Sequence, residues 1–345
     1  MTKAAIIILN FNGKHFLEKF LPSVMEHSGI AEVIVADNKS TDHSVQFLQN
    51  SYPEIRIIQN PVNGGFAKGY NDALKEVESK YYILLNSDVE VSEKWIEPIL
   101  KLMDSDEQIA ACQPKILSFK NKSHLEYAGA AGGFIDILGY PFCKGRIFDT
   151  VEEDQPEFNK TYPIFWASGA ALFIRSEIYH AIEGFDEDFF AHMEEIDLCW
   201  KINRLGKKIY YCGESKVYHV GGGTLPMGNP RKTYLNFKNS LITLYTNSRY
   251  SDLFWKIPLR FAFDLLAIFK FLFSFDIGSI KAILQADWDF LTSRKEIRGK
   301  RNNFLNKYPI VNSPYQYNGF IVLDYFLKKR TKWHDFEFLK TKNKK

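Results

Sequence analysis

The sequence predicts an α/β fold: a mostly parallel sheet flanked by helices, followed by a helical C-terminal extension. Three observations carry this. Short apolar runs, several rich in β-branched residues, alternate with segments of helical spacing through the first half of the chain. Those runs end in clusters of Asn, Asp, Ser or Gly. Beyond residue 230 the pattern changes to long helical stretches rich in Phe, Leu and Ile.

Ala4–Leu9 is a continuous apolar run, as a strand buried on both faces should be, and Asn12-Gly13 breaks it. His15–His27 has helical spacing, with Phe16, Leu17, Phe20, Leu21 and Val24 apolar. Glu32–Ala36 is a second strand, Ser44–Gln49 a helix and Ile55–Gln59 a third strand. After the turn Asn60–Gly65, a helix runs through Tyr70, Ala73, Leu74 and Val77, and Tyr81–Leu85 is the next strand. Strands separated by helices mean βαβ units. Ala167–Arg175 reads as a strand and Glu194–Arg204 as a helix; Lys208–Cys212 and Lys216–Val220 read as two short strands. The change of character places a boundary near residue 235, dividing the chain into 1–235 and 236–345.

The chain has 345 residues, 46% of them hydrophobic, which suffices for a core and excludes a disordered chain. A net charge of only +3 gives no global basic field for nucleic acid. The terminus KKRTKWHDFEFLKTKNKK is locally basic and reads as a solvated end or as a weak contact with an anionic surface. Cys112, Cys143, Cys199 and Cys212 form no C-x-x-C pair, so neither a zinc knuckle nor a redox motif is expected. They suit a reduced compartment. The apolar run near the N-terminus is too short for a secretory signal, and the expectation is a cytoplasmic protein.

In open α/β sheets, ligands bind beyond the carboxyl ends of the strands. Here those ends carry Asn10, Asp37-Asn38, Asn63-Gly64-Gly65 and Asn86-Ser87-Asp88. A carboxylate such as Asp88 can cap a helix, pair with a cation or bind a hard metal ion. NPVNGGFAKGYN puts two glycines before a helix N-terminus, where backbone can approach an anion closely; a plain loop is the alternative. Neither a dinucleotide fingerprint nor a Walker loop is present. GFDEDFFAHMEEIDLCWK holds six carboxylates between Asp186 and Asp197, interleaved with aromatics. It reads as an acidic helix start or as a partly dry pocket in which a Glu serves as general base. His219, ahead of three glycines, is either structural or a metal or phosphate contact.

The succession ILNFNG, ADNKSTD, NPVNGGFAKGYN, LLNSDVE, WASGAALFIR, GFDEDFFAHMEEIDLCWK and HVGGG resembles the glycosyltransferase family 2 enzymes, most of all their rhamnosyltransferase-like members. The match covers residues 4–240. The resemblance implies a GT-A (nucleotide-diphospho-sugar transferase) fold with a mostly parallel, Rossmann-like sheet. It implies a divalent metal (Mg or Mn), a dTDP- or UDP-linked sugar donor, a glycan or lipid-linked acceptor, and inversion at the anomeric carbon. By resemblance, Asn10, Asp37, Asn63, Gly65, Phe66, Lys68 and Asn86 would hold the nucleotide sugar. Asp88 and His219 would hold the metal, Trp166, Ser168 and Gly169 would face the acceptor, and Glu195 would be the base, with Glu194 and Asp197 as alternatives. Two positions depart from the family pattern. Asn86 replaces the first acid of D-x-D, and Glu195 replaces the Asp of a Glu-Asp pair. A binding relative with a decayed metal site is the second reading. A nucleotidyltransferase is the third, and it lacks the Gly-rich basic loop after the first strand.

Phe254–Phe275 is apolar but interrupted by Lys256, Arg260, Asp264 and Lys270, so it does not read as a membrane span. Those four and Ser274 share one face of a helical wheel, opposite a wide apolar side, and Pro258 should mark a first turn or a kink. Such a helix either packs on the catalytic domain or lies in a membrane interface.

Overall fold

A computed structural model describes residues 2–221, 228–309 and 313–336. Gly222, Gly223 and the basic residues after 336 lie outside them. The chain begins with β1 (Thr2–Asn10), α1 (Lys14–His27), β2 (Glu32–Asp37), α2 (Ser44–Ser51), β3 (Arg56–Gln59), α3 (Gly65–Leu74) and β4 (Ser79–Asn86). β5 (Val89–Val91), α4 (Glu97–Ser105) and β6 (Ile109–Ser118) follow. β1, β2, β3 and β4 are mutually parallel, and their register aligns Leu9 with Asn86, Asn10 with Asp37 and Asp37 with Gln59. The polar strand ends therefore share one sheet edge.

A smaller sheet is built from β7 (Gly133–Asp136), β8 (Pro141–Cys143), β9 (Arg146–Ile147) and β10 (Thr150–Val151). The chain then returns to the large sheet through β11 (Tyr162–Ile164) and β12 (Ala171–Arg175), followed by α5 (Ser176–Ala181), α6 (Glu194–Arg204) and β13 (Lys208–His219). The large sheet runs β11-β13-β6-β12-β4-β1-β2-β3, with β5 paired to β13. β12 is antiparallel to β4 and β6, and β13 is parallel to β6. The sheet is thus mostly parallel, with β5, β11 and β12 reversed.

The two strands expected over 208–220 are one strand. Its register against β6 slips between Cys212 and Lys216, opposite Pro114 and Lys115. Proline has no N–H to donate, so the partner strand bulges there.

The C-terminal helices are α7 (Pro230–Asn247), α8 (Tyr250–Phe273), α9 (Ile277–Thr292) and α10 (Arg294–Lys307). After them β14 (Gln316–Tyr317) joins the small sheet beside β7, and α11 (Ile321–Phe326) follows. Helix α7 runs through residue 235 and packs on α6, so the parts expected over 1–235 and 236–345 are continuous there. Among the described residues no helix is long and apolar enough to cross a membrane. Pro258 lies inside α8, on its exposed side.

Candidate active site

Asp88 lies in the turn between β4 and β5, and its carbonyl accepts from the Val220 amide. β5 pairs antiparallel with the end of β13, which sets His219 opposite Val89. His219 Nε2 is then 3.2 Å from Asp88 Oδ1, and Nδ1 is 3.3 Å from Glu126 Oε2. All three side chains are buried. Burial alone would favour neutral imidazole, but the two carboxylates win and push the pKa of His219 up to about 10.

Do these residues fit a divalent ion? Two neighbouring ligands of an octahedral ion with bonds of about 2.1 Å stand about 3.0 Å apart, close to the Asp88–His219 separation. Glu126, 3.3 Å behind Nδ1, stands where a carboxylate can orient a ligating imidazole, although Nδ1 makes no hydrogen bond among the described residues. Among the described residues, no group of three or more His, Cys, Asp or Glu side chains is placed to hold a metal. The pair suits an ion that takes its remaining ligands from phosphate and water, as Mg²⁺ does. Binding there must displace the His219 proton.

On the other side of the cleft edge, Asn10 Nδ2 donates to Asp37 Oδ1 (3.0 Å) and Ser40 Oγ (3.1 Å), and the Ser40 amide donates to Asp37 Oδ2 (2.9 Å). Asn10 Oδ1 has no partner among the described residues. Asn60 Nδ2 donates to Asn38 Oδ1 (2.8 Å), and Asn38 Nδ2 to the Gly65 carbonyl (2.8 Å). Asn63 Oδ1 accepts from the Gly65 amide (3.0 Å), which fixes the entry to α3. Gly65 has φ +78, and a Cβ there would come within 2.3 Å of the Phe190 carbonyl. Gly65→Ala should therefore cost a few kcal/mol of stability, about 1–3 from the left-handed backbone alone. A melting temperature within a degree of wild type would contradict that.

The Phe66 amide donates to the Phe190 carbonyl (2.6 Å), which ties α3 to the acidic segment before α6. Phe66 also packs on Phe185 and Tyr70, and a Cβ on Gly169 would meet its ring. Lys68 is paired with Asp72 (2.9 Å) and Glu187 (3.4 Å) on the half-exposed flank. Asn86 closes β4, its amide bonded to the Ala170 carbonyl.

The acidic segment itself is held in an unfavourable shape. Phe190, His192 and Met193 have φ of 54, 69 and 71, a region non-glycine residues avoid. Asn239 of α7 holds it by donating to the carbonyls of Phe189, Ala191 and His192 at 2.9–3.1 Å. At the start of α6, burial pushes Glu195 up to about 7 and Glu194 well above the usual carboxylate range, where the Glu195 charge adds repulsion. Oε2 of each is buried without a partner among the described residues, and so is His192 Nε2. Asp197 is different: it is buried, bonded to Asn247 Nδ2 (2.8 Å) and paired with Lys201 (2.8 Å). Its lone pairs are committed to structure.

Trp166 and Ser168 are directed inward. The Trp166 indole N–H donates to the Phe134 carbonyl (2.9 Å), and its ring occupies the space over Gly133. The Ser168 hydroxyl donates to the Ala128 carbonyl, and its amide to Gln113 Oε1 (2.9 Å). Glu126 and Asn239 were not singled out in the sequence. Glu126 sits in no motif, and Asn239 is a mid-helix residue whose partners lie about fifty positions away; only the three-dimensional pairing exposes them.

The chain matches the model of the family described as glycosyl transferase family 2 over residues 5–176. The chain belongs to glycosyl transferase family 2. It is a glycosyltransferase, and its relatives in family 2 include rhamnosyltransferases. It is 24% identical over 274 residues to an N-acetylglucosaminyl-diphospho-decaprenol L-rhamnosyltransferase of Mycobacterium tuberculosis, covering 74% of this chain and 87% of that one. It is 25% identical over 221 residues to the rhamnosyltransferase WbbL of Escherichia coli, covering 62% and 82%. A crystal structure of GalNAc-T7 with UDP, GalNAc and Mn²⁺ superposes with a TM-score of 0.58 at 17% identity, over 74% of this chain and 50% of that one. The family 2 fold here is thus GT-A.

Proposed function

We propose that this family 2 enzyme transfers a hexose, a deoxyhexose such as rhamnose being favoured, from a dTDP- or UDP-linked donor to a hydroxyl of a glycan or lipid-linked acceptor, with inversion. The product belongs to cell-surface polysaccharide synthesis. The observation that carries the reading is Glu195. Its carboxyl is desolvated, raised to about 7 and has an unpartnered Oε2, at the head of the helix that follows the Phe190 segment, and that segment is bonded to the Asn63–Lys68 loop. A carboxyl so placed is a base poised near neutral pH.

Asp88 and His219 would hold the divalent cation, which when bound supplies positive charge to the diphosphate leaving group. Asn10, Asp37 and the Asn63–Lys68 loop would hold the nucleoside and sugar, and Asn86 would add a hydrogen bond without charge. Glu195 takes the proton of the acceptor hydroxyl. The acceptor oxygen then bonds to the anomeric carbon on the face opposite the diphosphate, whose bond breaks with its electron pair. A single displacement inverts the configuration.

Of the three residues placed by resemblance near the acceptor, Gly169 stands against Phe66, whereas Trp166 and Ser168 would act by supporting that wall from within. The relatives named for transfer to a diphospho-decaprenol lipid support a lipid-linked acceptor, and four free buried cysteines suit the reduced cytoplasmic side. Anomeric proton coupling of the product, read by NMR, tests the displacement. Inversion is expected, and retention of the donor's configuration would sink it.

A further inference from the structure

Helix α8 is turned the opposite way from an ordinary surface helix. Arg260 and Asp264 are 1% and 0% exposed, whereas Phe254 and Phe273 on the same helix are 87% and 84% exposed. The inward face is specified by polar bonds. The Arg260 guanidinium donates to Ser240 Oγ (2.6 Å) and the Leu138 carbonyl (3.2 Å), and it stacks 3.9 Å from the Tyr140 ring. This orientation is therefore built into the fold. It forces the wide apolar side outward, where Leu265, Leu266 and Phe269 continue the stripe. Phe275, 87% exposed, extends it into the turn to α9. On α9 the positions Ile277, Lys281, Leu284, Trp288 and Leu291 recur at helical spacing, and all five are exposed. A contiguous apolar face of this kind on a soluble chain marks a surface that meets something apolar.

The charges say what. The acidic residues of the two helices are largely spent within the protein. Asp264 is buried, Asp276 caps α9 through Ser279, and Asp289 accepts from the Tyr234 hydroxyl. The basic residues Lys270, Lys281, Arg294 and Arg298 are exposed. Arg294 and Arg298 also line a groove of about 580 Å³ whose other walls are apolar, among them Leu253, Ile257 and Phe261. An apolar face bordered by unspent cations is complementary to an anionic lipid surface: acyl chains below, phosphate at the rim.

We propose that the α8–α9 face is a docking surface for an anionic phospholipid bilayer, on which the protein lies without crossing it. This stands apart from the catalytic reading, because its test measures binding and not transfer.

The experiment is flotation of the full chain with phosphatidylcholine vesicles and with phosphatidylcholine–phosphatidylglycerol vesicles, with light scattering of the free protein alongside. The wild type is expected to float with the anionic vesicles and far less with the neutral ones, as a monomer before mixing. The double substitution Phe273→Ser with Phe275→Ser is expected to weaken partition about a hundredfold while circular dichroism stays unchanged, since both side chains are exposed. Arg294→Gln with Arg298→Gln is expected to weaken the preference for anionic lipid, and adding Lys270→Gln and Lys281→Gln to erase it; a fourfold variant that keeps the wild-type preference overturns the charge part of the proposal. Wild-type protein that stays in the soluble fraction with both vesicles overturns the proposal. So does a phenylalanine variant that floats like wild type. A wild-type dimer that fails to float and that the phenylalanine variant splits into monomers assigns the face to a second copy of the chain instead.

Discussion

Glu195→Gln is expected to lower turnover about a thousandfold and to leave donor binding within about twofold of wild type, since Glu195 is the proposed base. The amide fits the same space and still offers an oxygen, but it cannot take a proton. Because the carboxyl is raised from its ordinary value to about 7, the base form is lost as pH falls through that value. The wild-type rate should therefore rise with pH and level off above about 7. In Asp197→Asn the outcome differs. Asp197 is bonded to Asn247 and Lys201, so that variant loses stability and keeps the same pH profile. A profile that shifts with Asp197 and not with Glu195 would reassign the base.

Asp88→Ala removes one of the two side chains proposed to hold the cation, and kcat/KM is expected to fall about a thousandfold or more. The same change takes away one of the two anions that hold His219 cationic. The imidazole should then titrate lower, and added manganese is not expected to restore the rate. Glu126→Gln is milder, about ten- to a hundredfold, because Glu126 touches His219 from behind and positions it. Assays across a manganese series separate the two: Glu126→Gln is rescued at high metal, and Asp88→Ala is not. If Asp88→Ala kept wild-type kcat/KM at low manganese, the cation would have to be held elsewhere.

The central parallel strands β1, β2 and β4 were legible because they are buried on both faces and so read as unbroken apolar runs. β1, β2 and β4 lie within a few residues of the sequence expectation. Residues 89–165 were not legible. The small sheet uses strands of two to four residues, too short for periodicity, and only partners far along the chain fix them. β6 carries Pro114 and Lys115 at its centre, which hides a ten-residue strand. Lys115 is tolerated there because its ammonium reaches Asp154 (2.7 Å) and Asn159 (2.6 Å). For the site, sequence brought the polar strand ends together, and the register places them on one edge. It could not show which acid near α6 is spent on structure, nor that Trp166 and Ser168 point inward. Those are properties of neighbours that no local pattern records. The wheel of α8 was legible, but which face turns inward depended on Ser240 and the Leu138 carbonyl, both on other elements.

Asp88 and His219 are proposed to hold a cation on the diphosphate of a bound nucleotide. Calorimetric titration of dTDP, UDP and GDP, each with and without manganese, on wild type and Asp88→Ala, tests it most directly. One nucleotide, dTDP or UDP, is expected to bind in a manganese-dependent way, and the dependence is expected to vanish in Asp88→Ala. Equal binding with and without manganese, or binding unchanged in the variant, would contradict it.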